Sequence, residues 1–108
     1  MKAFLVNATA FAAILAIPAM AADVDMKAAS YLITKSDCIT CHAVDKKMVG
    51  PTFKDVAAMY RSDKGAENRL VEKVIKGGSG VWGTAAELPH PNMKEEDIRT
   101  LVQWILAQ

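Results

Sequence analysis

The sequence predicts an all-α domain of about four helices joined by long loops. Three observations carry that prediction. Apolar residues recur at helical spacing in several separate stretches, no stretch sustains the two-residue alternation of a half-buried strand, and Gly and Pro punctuate the intervals. The chain has 108 residues, 52% hydrophobic and 23% charged, enough for one small domain. Its 13 Lys and Arg against 12 Asp and Glu give a formal net charge of +1, without the basic excess of a nucleic-acid binder. Two cysteines cannot build a multi-disulfide scaffold.

The N-terminal stretch stands apart from the fold. Lys2 precedes a nearly charge-free run, Ala3 to Ala22, carrying Phe4, Leu5, Val6, Phe11, Ile14, Leu15 and Ile17. Pro18 breaks the run, and Ala19-Met20-Ala21 has the small-x-small pattern of a signal peptidase site. Residues 1–21 are therefore expected to be an export leader cleaved after Ala21, with Ala22 the next candidate, and 22–108 the folded domain. A retained membrane anchor is the competing reading, but the apolar core is short for a span of about 20 residues. The remaining 87 residues carry 12 positive and 12 negative side chains. A chain this short buries little apolar surface and needs a staple. Lacking the cysteines for disulfides, it is expected to use a cofactor.

The elements follow in order. Met26 to Lys35 places Ala28, Leu32 and Ile33 near helical spacing, with Asp25 as N-cap. Lys46 to Pro51 reads as a turn, Val56 to Arg61 as a short apolar helix. Ala66 to Lys76 aligns Leu70, Val71, Val74 and Ile75 on one face and stops at Gly77-Gly78-Ser79-Gly80, a flexible turn. Val81 to Pro91, with Gly83, Pro89 and Pro91, reads as loop. Asn92, three residues before Glu95, predicts a capping box for a last helix running to about Leu106. Ile98, Leu101, Val102 and Ile105 form its buried stripe, with Trp104 at the edge. Glu95, Glu96 and Asp97 in its first turn favour the helix dipole.

The chemistry is concentrated in Cys38-Ile39-Thr40-Cys41-His42. C-x-x-C-H is the attachment signature of c-type haem. Two thiols add across two vinyl groups of the ring to give thioethers, and the two intervening residues let both sulfurs reach one edge. His42 is then carried beneath the ring, where its imidazole can bind iron. A redox dithiol would also use C-x-x-C, but in a βαβ context that is missing here. Zinc would need four ligands, which Cys38, Cys41, His42 and His90 supply only on paper, because adjacent Cys41 and His42 cannot easily face one tetrahedral metal. A Cys38–Cys41 disulfide is the plainest alternative. The export signal, the all-α pattern and the long loops favour one covalent haem c.

Several strings around this motif resemble a family. With C-I-T-C-H, Met48-Val49-Gly50-Pro51, Lys76-Gly77-Gly78-Ser79-Gly80-Val81-Trp82-Gly83 and Leu101-Val102-Gln103-Trp104-Ile105-Leu106, the chain looks like a small class I bacterial cytochrome c of the periplasmic carrier type. The resemblance covers almost all of 22–108. It implies four to five helices wrapped around one haem, the first and last crossing. It also implies His42 as proximal ligand, Pro51 against the ring on the His42 side, and Trp82 and Gly83 near the haem edge.

The sequence departs from the family at the sixth ligand. Proteins of this kind usually carry a Met in Pro-Met-Pro-Pro shortly after Trp-Gly. Matching Val81-Trp82-Gly83 and Trp104 puts Glu87 there instead, within Ala86-Glu87-Leu88-Pro89-His90-Pro91-Asn92-Met93. Met93 and His90 are the candidate distal ligands. Met93 also suits packing on the first turn of the last helix, and His90 a place on an exposed loop. Glu87 is expected not to be a strong ligand, since a carboxylate binds ferrous iron poorly; an open site is the remaining outcome. Met48 and Met59 are expected to pack, Tyr60 and Trp104 to be core aromatics, and Lys46, Lys47 and Lys54 to ring an exposed haem edge or form a solvated face.

The expected function is periplasmic one-electron transfer by a monomer that docks transiently with redox partner proteins, without nucleic acid and without stable membrane insertion after cleavage. No substrate bond is made or broken, so the protein is expected not to be an enzyme. The alternative is a haem protein with an open or weakly occupied sixth site that binds a small ligand, as a gas sensor or peroxidase-like protein. A third possibility is a haem subunit fixed in a larger dehydrogenase.

Overall fold

The computed structural model describes residues 24–108 together with Ala10, Ala12 and Ala13. Those three alanines apart, the expected leader and its cleavage point lie outside the described residues. The elements are α1 (Met26–Lys35), α2 (Cys38–Cys41), α3 (Phe53–Tyr60), α4 (Ala66–Lys76), β1 (Gly78–Gly80), β2 (Gly83–Glu87) and α5 (Glu95–Leu106).

Side-chain caps set the starts of α1 and α3. Asp25 caps α1 as expected, its Oδ1 accepting from the Ala28 amide at 2.9 Å. Helix α3 begins three residues before the expected Val56, because Thr52 is a second cap: its hydroxyl accepts from the Asp55 amide at 3.0 Å. The expected capping box at Asn92 is not formed. Lys94 holds the N-cap position of α5 without a side-chain bond, and the acidic first turn of Glu95, Glu96 and Asp97 remains to meet the dipole.

A second correction concerns the stretch read as turn and loop. Strands β1 and β2 pair antiparallel, Gly78 opposite Glu87 and Gly80 opposite Gly83. Both are almost wholly exposed and built largely from Gly, Ala, Ser and Thr. A strand with no buried face has no hydrophobic alternation for sequence reading to find.

The core lies on either side of α5. Ala29, Ile33, Phe53, Leu101 and Trp104 join α1 and α3 to α5, and Val71, Ile98 and Val102 join α4 to it. Of the expected α5 stripe, Ile98, Leu101 and Val102 are buried and Ile105 is only half-buried, while Trp104 is buried rather than at the edge. Met48 and Met59 do not pack as expected: both are exposed, on surface that the core does not reach. Tyr60 faces a cavity that the helices leave open between them and the hairpin.

Candidate cofactor site

The cavity is a cleft that opens to solvent on one side. Cys38, Cys41, His42 and Pro51 stand on one side; Val81, Trp82, Ala85, Ala86, Glu87 and Leu88 come from the hairpin, and Leu101, Val102 and Ile105 from α5.

The single turn of α2 places Cys38 and Cys41 three residues apart, on one helical face. Both thiols are free and half-buried. Burial pushes the Cys38 thiol up, partly offset by the Ser36 hydroxyl, which donates to Sγ at 3.1 Å. The helix ends at His42, whose extended backbone (φ −129°, ψ 150°) sends the chain onward. The segment then returns: the Gly50 amide donates to the Cys41 carbonyl at 2.8 Å and the Phe53 amide to the Ala43 carbonyl at 3.0 Å.

This return fixes the imidazole. His42 Nδ1 lies 2.8 Å from the Pro51 carbonyl oxygen. A carbonyl only accepts, so Nδ1 is the donor, and in the neutral ring the lone pair lies on Nε2. The ring stacks on Phe53 at 5.3 Å and 21°, and Phe53 meets Trp104 edge-on at 5.5 Å and 79°. Gly50 lies against the same ring, where a Cβ would come within 2.8 Å of Nδ1 and 2.9 Å of Nε2.

The opposite wall is held by polar contacts. The His90 amide donates to the Val74 and Ile75 carbonyls, both at 3.1 Å. Its ring Nδ1 lies 3.2 Å from the Val74 carbonyl and its Nε2 2.6 Å from Asp37 Oδ1. The backbone at Glu87 to Pro89 lies on Gly77, where a Cβ would stand 2.8 Å from the Pro89 nitrogen; only glycine takes that approach at φ 68°. Burial pushes the Glu87 carboxyl above its ordinary range against the pull of His42, His90 and Lys73.

Of the residues singled out from sequence, Cys38, Cys41, His42, Pro51, Trp82 and His90 line the cavity. Gly83 does not; it opens β2 beside the hairpin turn, with nothing within 4 Å of where its Cβ would be. Met93 does not line it either, and packs instead against both halves of the core. Lys46, Lys47 and Lys54 are exposed and off the lining, while Lys73 is on it. Asp37 and Lys73 were not foreseen. Lys73 sits in a helix whose periodicity marks only its apolar face, and Asp37 meets a partner 53 residues away.

The residues fit a flat iron-porphyrin: two thiols on one helical face, an imidazole with a free Nε2, and walls that are mostly apolar. They do not fit zinc, since among the described residues no three His, Cys, Asp or Glu side chains converge on one point.

A helical wrap around such a slot, with C-x-x-C-H at its wall, defines a class I c-type cytochrome. The chain belongs to the cytochrome c family, whose model, Cytochrome c, matches residues 26–108. It is 44% identical over 98 residues to cytochrome c-551 of Allochromatium vinosum, covering 91% of this chain and 98% of that one. The crystal structure of wild-type Nitrosomonas europaea cytochrome c552 superposes with a TM-score of 0.69 at 41% identity, covering 72% of this chain and 96% of that one. The class 1 cytochrome MtoD of Sideroxydans lithotrophicus ES-1 gives 0.69 at 37% identity, covering 79% and 97%. Family members carry one covalently attached haem c, and this protein is a small monohaem electron carrier. The small-ligand alternative is not favoured, because these relatives are cytochromes c-551 and c-552.

Proposed function

We propose that Cys38 and Cys41 hold the haem through thioethers, that His42 Nε2 is the proximal iron ligand, and that the protein moves single electrons between partners in the periplasm. The observation that carries the assignment is the Pro51 carbonyl on His42 Nδ1, which presents Nε2 as a free donor beside the two thiols. When bound, the haem supplies the one-electron couple between ferric and ferrous iron. The chain orients the imidazole, keeps water from the apolar walls and leaves one side open.

That open side supports brief docking. Val49, Val81, Trp82 and Leu88 line the cavity and yet are 62%, 56%, 42% and 64% exposed. An apolar rim of this kind suits a small, weak contact, below about 1,200 Å² in total. No helix among the described residues is long and apolar enough to cross a membrane. Residues 1–21 serve as export leader, domain 22–108 acts as a monomer, and no substrate bond is made or broken.

The test is mass analysis of the denatured, exported protein. The expected result is the chain from Ala22 plus one haem. Haem that extracts freely into acidic organic solvent overturns the thioether assignment.

A further inference from the structure

We propose that His90 and Asp37 form a clasp across the cofactor cleft, and that this clasp limits the entry of small solutes to the iron. It rests on the attachment proposed for Cys38, Cys41 and His42, and it acts on the hairpin wall that faces them.

Apolar packing joins the first half of the domain to the second, with Ala29, Ile33 and Phe53 against Leu101 and Trp104. The hairpin wall has no share in it, since no residue from 76 to 92 belongs to either part of the core. Pairing of β1 with β2 and the Gly77 approach hold the wall to itself and to the end of α4. The bonds from the His90 amide to Val74 and Ile75 do the same. None of these reaches the side of the cleft that carries the two cysteines and His42. The imidazole of His90 does, its Nε2 donating to Asp37 Oδ1 at 2.6 Å. Among the described residues this is the only hydrogen bond or ion pair between residues 24–61 and residues 66–108.

Both partners are placed for this bond. Asp37 holds the N-cap position of α2, where an aspartate ordinarily accepts from the amides of its own helix. Here its side chain makes no such bond and takes the His90 N–H instead. His90 stands between Pro89 and Pro91, whose rings narrow the backbone on either side of it. Its side chain is 16% exposed and that of Asp37 56%. Water therefore competes at the carboxylate, and the bond is weak enough to open and close. Closed, it holds the hairpin wall to the segment that carries Cys38. Open, it leaves the wall fastened at α4 alone. An electron crosses a closed cleft edge, whereas a ligand molecule needs the opening, so the clasp separates electron transfer from small-molecule binding.

The test uses the exported holoprotein with Asp37→Ala, His90→Phe, the two combined, and Arg99→Met. Arg99 bonds Glu67 and Asn68 of α4 outside the cavity lining, so its loss weakens the domain without touching the clasp. The resting ferric spectrum of each protein is recorded near neutral pH, and the rate of cyanide binding is then measured. The expected resting spectrum is that of wild type throughout. Cyanide should bind about two- to five-fold faster in Asp37→Ala and in His90→Phe, the scale of one exposed charged pair. The double variant should show no further rise, because both changes break the same bond, and Arg99→Met should keep the wild-type rate. An unchanged rate in Asp37→Ala, fully additive effects in the double variant, or an equal rise in Arg99→Met each overturns the clasp. So does a resting spectrum altered by His90→Phe alone, which would give His90 to the iron. Failure of the underlying attachment is distinguishable, since it gives a denatured mass without haem in every variant.

Discussion

Gly50 and His42 are packed so closely that the glycine has no room for a side chain: a Cβ there would stand 2.8 Å from Nδ1 and 2.9 Å from Nε2 of the imidazole. The ring cannot retreat freely, because Phe53 stacks against it and the Pro51 carbonyl holds Nδ1. Gly50→Ala must therefore shift the nitrogen assigned to the iron. The expected cost is about 1–3 kcal/mol, read as a lower urea midpoint of the holoprotein, together with a changed ferric spectrum. A variant matching wild type in both would contradict this packing.

His42→Ala is expected to yield no stable holoprotein. The small core on either side of α5 is built around the cavity, so losing the ligand removes both the iron bond and the anchoring of the group that fills the domain. A variant with normal spectrum and normal thermal midpoint would remove His42 from the proximal role.

Thr52→Ala should destabilise the domain by about 1–2 kcal/mol. Thr52 is buried at 6% exposure, and its hydroxyl satisfies the Asp55 amide at the start of the helix that carries Phe53. Thr52→Ser keeps the cap and should recover most of the loss in the same urea titration.

Stability should depend on pH in two directions through His90 and Asp37. Burial opposes charge on the His90 ring, but the Asp37 hydrogen bond, with Val74 and Glu87, leaves its pKa above the ordinary 6.5. The bond from His90 in turn holds the Asp37 carboxyl below 3.8. A raised histidine contributes fully below its unfolded pKa and loses that contribution as pH rises through the folded value. A depressed carboxyl contributes above its unfolded pKa and loses it as pH falls through the folded value. The pair is therefore worth most between about pH 4 and 6.5. With Asp37 largely exposed, the contribution is about 1 kcal/mol or less. Unfolding midpoints from acid to alkaline pH should fall on both sides of that window, and Asp37→Asn should flatten the alkaline side. An identical profile in the variant would show that the pair contributes nothing.

The helical frame was legible because Ile33, Val71, Ile98, Leu101 and Val102 lie at helical spacing and meet across α5. The proposed attachment residues were legible because the chemistry proposed for them demands adjacency: Cys38, Cys41 and His42 are neighbours in sequence, as thiols and imidazole serving one ring would have to be. The hairpin was not, since Gly78–Gly80 and Gly83–Glu87 bury almost nothing and so leave no pattern. The distal wall was not legible for another reason. Whether Met93, His90 or Glu87 faces the cavity depends on contacts made with Val74, Asp37 and both core clusters, far away in the chain.

The construction of that wall has a bearing on how such a protein can diverge. Strand β2 and the loop to His90 are fastened by main-chain pairing, a glycine approach and one histidine, while the helices are fastened to each other by buried side chains. Exchanges at Ala85, Ala86, Glu87 or Leu88 therefore leave the helical core intact. The side chains that this wall presents to the cavity can change in small steps while the scaffold stays as it is.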